Sequence, residues 1–122
     1  MARPDGRYRL TDAEKSAVIA QMRAALIEAA RARQLLTYSD LALKLESVYV
    51  HPHSFVFAHL LRTVCAAEWA RTGVMLCALV VAKQTGIPGG GYFRSLMPAE
   101  AVDPLEAWRA DVERVFDYWS EH

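Results

Sequence analysis

The chain has 122 residues, 53% hydrophobic and 23% charged, with 14 basic side chains against 14 acidic ones. That length suits one compact domain spanning 1–122, and the composition excludes a disordered tail, a collagen-like repeat and a strongly basic arm. Cys65 and Cys77 form no disulfide framework of the kind that staples small secreted domains, and both stand among apolar neighbours. Core-packed thiols in a reducing, cytoplasmic setting are the expectation. The opening stretch, MARPDGRYRL, lacks an apolar segment of signal-peptide length, and the most apolar run, Val74 to Ala82, is about half of what spans a bilayer. No membrane association is expected.

In chain order, Thr11 with Glu14 three residues on forms a capping box, which opens a first helix. Val18, Ile19, Met22, Ala25, Leu26 and Ala29 then recur at helical spacing as one apolar stripe. Leu35 to Tyr38 reads as a short extended piece, and Ser39-Asp40 as the cap of a second helix through Leu41, Ala42 and Leu45. Pro52 disfavours helix at His51, so Ser47 to Pro52 is a loop. Ser54 caps a third helix from Phe55 to Arg71, which Gly73 closes.

The apolar run from Val74 to Ala82 suits a buried strand. Gln84 to Gly91 contains Gly86, Pro88 and three consecutive glycines, a turn requiring unusual backbone angles, with Tyr92-Phe93 as a return strand. Asp103, Pro104 and Glu106 open a last amphipathic helix over 103–120, whose buried face is Leu105, Trp108, Val112, Val115, Phe116 and Trp119. The expected fold is mainly α with a small β-hairpin. It places a winged helix-turn-helix-like core of order α-β-α-α-β-wing-β over 11–97, with the C-terminal helix outside it.

The neutral total hides an asymmetry. Residues 1–30 carry +1, residues 31–94 carry +4 and residues 95–122 carry −5. The central segment can face a polyanion, or the two ends of the chain can neutralise each other. His51, His53 and His59 include no recognised zinc spacing, and no cofactor or metal is expected. The Gly86 to Tyr92 stretch lacks the lysine and hydroxyl residue of a phosphate loop. Its glycines, Gly89, Gly90 and Gly91, instead suit a wing that approaches phosphates closely, flanked by Lys83 and Arg94. Arg62 and Arg71 are the cations that the third helix offers to a groove, with His53 or His59 beside them. That helix is also apolar on its second side, through Phe55, Ala58, Ala66 and Trp69, which favours dimerisation or a protein partner.

Thr37-Tyr38-Ser39-Asp40-Leu41-Ala42, followed by a helix, a strand and a glycine-rich hairpin, resembles the DNA-binding domain of alkylguanine-DNA alkyltransferases and alkyltransferase-like proteins. In that family a Thr-Tyr-Gly-x-x-Ala element opens the helix-turn-helix, and a strand bearing Pro-Cys-His-Arg-Val follows. The resemblance covers roughly residues 35–93 and sets Cys77 against the acceptor cysteine. Ala78 and Leu79 stand where the family has His and Arg, so alkyl transfer does not carry over. Arg62 is the positional counterpart of the family's arginine finger, without its surrounding motif. Tyr38 to Ala42, Leu76 to Val81 and Gly86 to Phe93 are also similar to a pattern in short bacterial proteins, from which no activity follows.

The expectation is thus a small non-enzymatic winged-helix protein that binds double-stranded DNA as a homodimer. The second reading is an accessory or immunity-type interaction module that docks a protein through helix 54–72 or the acidic last helix. Cysteine-dependent alkyl transfer or repair ranks third.

Overall fold

The computed structural model describes residues 10–96 and 103–122. The expected core boundary at residue 97 lies outside them. The first helix, α1 (Asp12–Arg31), begins at the capping box, where Thr11 and Glu14 exchange backbone-to-side-chain hydrogen bonds of 2.8 and 3.0 Å. Its apolar stripe is the buried face: Val18, Met22 and Leu26 are fully enclosed. Each contributes about 1.5–3 kcal/mol of apolar burial.

After α1 come strand β1 (Leu36–Thr37) and helix α2 (Tyr38–Leu43). The cap of α2 is Thr37, two residues earlier than expected, because Thr37 and Asp40 also stand at capping-box spacing and bond reciprocally. Helix α3 (Phe55–Thr72) runs from the Ser54 cap to Gly73, whose φ of 77° is the left-handed turn that glycine adopts without strain. Phe57, Leu60, Leu61, Val64 and Cys65 face the core. So does Glu68, which is fully buried and held by Arg23 of α1 at 2.7 Å and Arg71 at 3.2 Å.

The apolar run differs from the expected long strand. Leu76–Leu79 forms a 3-10 turn, and only Val80–Val81 is extended, as strand β2. This segment packs against α1, α3 and the last helix, α4 (Pro104–Glu121), together. A run buried on all sides need not alternate, so its apolar pattern does not distinguish strand from helical turn. β2 pairs with β1 in parallel, Leu36 opposite Val80 and Thr37 opposite Val81. The two form the whole sheet among the described residues.

The expected β-hairpin is likewise replaced. Beyond Ala82 the chain closes a turn through Ala82 N–H to Ile87 O and Gly86 N–H to Ala82 O, both 2.8 Å, with Gly86 at φ 74°. Of the glycines at 86 and 89–91, only Gly86 has a positive φ. Tyr92–Leu96 is a π-helical turn where the return strand was expected. It turns the Tyr92 ring inward, where its hydroxyl donates to Asp111 of α4 at 2.5 Å. An extended strand projects successive side chains to opposite faces. Here both rings are at least partly covered and meet edge-on, with centroids 5.4 Å apart.

Helix α4 (Pro104–Glu121) starts at the Asp103 cap, as its sequence signature implies. Trp108, Val112, Val115, Phe116 and Trp119 are its buried face. It docks on α1 and on the 3-10 turn, where the Trp108 indole N–H donates to the buried Ala78 carbonyl at 2.8 Å. The chain is therefore mainly helical, with a two-strand parallel sheet and a C-terminal helix. No helix among the described residues is long and apolar enough to cross a membrane.

The two cysteines are not free thiols. Cys65 of α3 and Cys77 of the 3-10 turn are joined as a disulfide, with Cα atoms 5.7 Å apart. Sequence reasoning treated each cysteine against its own neighbours. The helical turn at 76–79 is what points Cys77 at the core face of α3.

Candidate functional site

A cavity of about 330 Å³ opens where the first half of α3, the start of α2 and the glycine-rich segment meet. Phe57, Ala58, Leu61 and Arg62 form its α3 wall, spaced so that one helical face is presented. Tyr38 enters from α2, packing edge-on against Phe57 with ring centroids 6.5 Å apart. Its hydroxyl accepts the Gly89 N–H at 2.9 Å, which ties the glycine segment to α2. A Cβ on Gly89 would stand 3.2 Å from that hydroxyl, so the close approach accounts for a glycine there. Gly91, Tyr92 and Ala82 close the far side, and Cys77 also lines the cavity.

Among the described residues the charges of this cavity are of one sign: Arg62 and His53 line it, and no carboxylate does. Lys83 directly follows the lining residue Ala82, and the Arg94 guanidinium folds back over Gly90. Arg62, Lys83 and Arg94 are all exposed, and none has a carboxylate partner among the described residues. Tyr92 is held protonated far above the ordinary range of a phenol. Burial is the main cause; the hydrogen bond to Asp111 and that carboxylate's charge add to it, while Arg114 opposes.

The seven residues expected to touch nucleic acid therefore divide. Arg62, Gly89 and Gly91 line the cavity, Gly90 and Arg94 sit at its glycine edge, and Lys83 adjoins it. Arg71 does not join them. It lies nine residues along α3 from Arg62 and turns to Glu68. His51 and His53 stack at a tilt with centroids 5.7 Å apart, and no three His, Cys, Asp or Glu side chains converge among the described residues.

A larger surface groove of about 900 Å³ runs between α1, the end of α4 and the segment after α2. Its charges are of both signs, and its arginines are engaged. Arg23 holds Glu68, while Arg31 donates to the His122 carbonyl at 2.7 Å. Both guanidinium groups lie within 6 Å of the Trp119 ring centroid.

Sequence reasoning missed two features of the cavity: the Tyr38–Gly89 clasp and the place of Cys77 in its wall. The signal for the first was present, since Tyr38 belongs to the Thr37 to Ala42 element and Gly89 to the glycine run. Nothing local signalled the second. Comparison with protein-family models, curated proteins and solved structures gives no match.

Proposed function

We propose that this protein is a non-enzymatic nucleic-acid-binding domain whose contact surface is the rim of the cavity between α2, α3 and the glycine segment. In this reading α2 and α3 act as a helix-turn-helix and the glycine segment stands in for a wing. Arg62, Lys83 and Arg94 neutralise phosphates, and the backbone of Gly89–Gly91 admits a close approach. The carrying observation is the distribution of ion pairs. Arg33 pairs with Glu113 and Asp117, and Arg71 with Glu68, whereas the three cations at the rim have no carboxylate partner among the described residues. Lys15, Lys44 and Arg109 have none there either, but none of them lines this cavity. Unpaired cations around a concavity with no carboxylate among its described lining residues leave a positive field for an anionic partner.

The test is fluorescence anisotropy with a labelled random-sequence duplex, titrated from low to physiological salt. Binding at low salt with a steep salt dependence is expected. Replacing Arg62, Lys83 or Arg94 by Glu should each lower the slope of log affinity against log salt by about 0.9. Lys15→Glu, on an exposed position of α1 that does not line the cavity, serves as the control. Absence of binding at low salt overturns the reading.

A second reading rests on one observation: Phe55 is 95% exposed at the start of α3, and Trp69 is 54% exposed on the same outward face. A partner protein or a second copy covering that face would bind with little salt dependence. Phe55→Ser with Trp69→Ser would then abolish an association that rim variants leave intact.

A further inference from the structure

We propose that Cys77 is a thiol-exchange site, at which a small anionic thiol of the glutathione class enters the cavity and attacks the Cys65–Cys77 disulfide. The proposal does not depend on nucleic-acid binding. Three observations carry it. First, the two cysteines are placed unequally. Cys65 is fully buried in the core face of α3 and does not line the cavity, while Cys77, 5% exposed, forms part of its wall. Second, the volume of about 330 Å³ lies in the range of small-molecule sites. Third, Arg62 and His53 line the same space with no carboxylate beside them among the described residues, so an anionic thiol is drawn toward the wall that Cys77 forms.

The exchange balances as follows. The incoming thiolate attacks the Cys77 sulfur, forming a new S–S bond, and the Cys65–Cys77 bond breaks. The Cys65 sulfur takes the bonding pair and is protonated. The products are a mixed disulfide on Cys77 and a thiol on Cys65, with no net change in oxidation state. In reverse, the Cys65 thiol loses its proton, attacks Cys77 and expels the small thiolate. A second small thiol attacking its own kind in the mixed disulfide releases the protein dithiol and a small disulfide, a two-electron reduction of the protein. Attack on Cys65 is disfavoured because that residue is fully enclosed and forms no part of the cavity wall.

The test uses the oxidised full chain with reduced glutathione, quenched in acid, alkylated and peptide-mapped. Glutathione on Cys77 and a free thiol on Cys65 are expected. Cys65→Ser, lacking the resolving thiol, should accumulate the Cys77 adduct from glutathione disulfide, and Cys77→Ser should react at least about tenfold more slowly. Raised ionic strength should slow reaction with glutathione by about threefold and leave 2-mercaptoethanol, which is uncharged apart from its thiol, less affected. Arg62→Gln should do the same. An adduct on Cys65, equal labelling of both cysteines, or exchange in wild type no faster than global unfolding would overturn the proposal. The wild-type peptide map decides the matter even where a single-cysteine variant does not fold.

Discussion

Reducing the Cys65–Cys77 bond should cost this fold about 3 kcal/mol, and the figure follows from chain length. The cysteines are 12 residues apart. In the chain-entropy account, opening a closed loop of that size returns about 3 kcal/mol of conformational freedom to the unfolded state at 25 °C. For a chain of 122 residues, each kcal/mol shifts the midpoint of thermal unfolding by roughly 3–5 °C, so a drop of about 10 °C is expected. A domain of this size has about 5–15 kcal/mol of stability, so the reduced protein should remain folded at room temperature. The assay is urea unfolding followed by far-UV circular dichroism, with and without reductant, alongside the Cys65→Ala/Cys77→Ala double variant. Because the constraint acts on the unfolded chain, its removal should also raise the m-value slightly. The double variant should fall a little below reduced wild type, having lost both sulfurs from packed positions. A reduced wild type, verified by thiol titration, with an unchanged urea midpoint would refute the reasoning.

Tyr92→Phe keeps the buried ring and removes its hydrogen bond to Asp111, which is partly exposed and still held by Arg114 at 2.7 Å. A loss of about 1–2 kcal/mol in urea unfolding at neutral pH is expected. The same contact has a pH signature. Burial first, and Asp111 second, raise the Tyr92 pKa above its ordinary value near 10. The folded chain thus keeps a proton that the unfolded chain releases. Its stabilisation is complete below about pH 10 and is lost as pH rises beyond it, a limb that Tyr92→Phe should flatten. Gly86→Ala forces a side chain to φ 74° and should cost about 1–2 kcal/mol by the same denaturation assay, whereas Gly91→Ala has open space and no positive φ and should cost less. Trp108→Phe leaves the buried Ala78 carbonyl without its donor, and a midpoint change equivalent to about 1–3 kcal/mol is expected.

Helices with both a cap and a stripe were legible residue by residue. Thr11 with Glu14, Ser54 with Gly73, and Asp103 with Pro104 mark ends that the structure reproduces within a residue or so. The segments between them were not legible, for a physical reason. The Val74–Ala82 run touches three helices at once, so neither of its faces is polar and no period betrays its conformation. The same holds for Tyr92, whose inward turn is set by Asp111, 19 residues away. At the candidate site, Arg62 and the glycines were identifiable by type. Their shared cavity with Tyr38 and Cys77 depends on contacts across 12 or more residues, which local patterns do not encode. The pairing of Arg71 was not legible either, since its partner Glu68 is an acidic residue folded wholly inside.

The charge asymmetry leaves two explanations, self-neutralisation or a polyanionic partner, and the structure contains contacts of the first kind. The acidic last helix receives Arg33 through Glu113 and Asp117, while Arg31 donates to the chain's final carbonyl. Those arginines also lie over Phe116 and Trp119, so α4 is fastened to the end of α1 by both charge and ring contacts. Exposed pairs of this kind contribute only about 0–1 kcal/mol each to stability. Their stronger effect is on the field. They occupy the positive charge at one end of α1. Of the other central cations, Lys44 lines the larger groove and Arg71 pairs with Glu68, while Arg62, Lys83 and Arg94 fall beside a cavity with no carboxylate among its described lining residues. Arg33→Glu separates the two effects. It should loosen α4 in hydrogen exchange without altering the salt dependence of duplex binding, whereas Arg62→Glu should leave α4 protected and reduce that dependence.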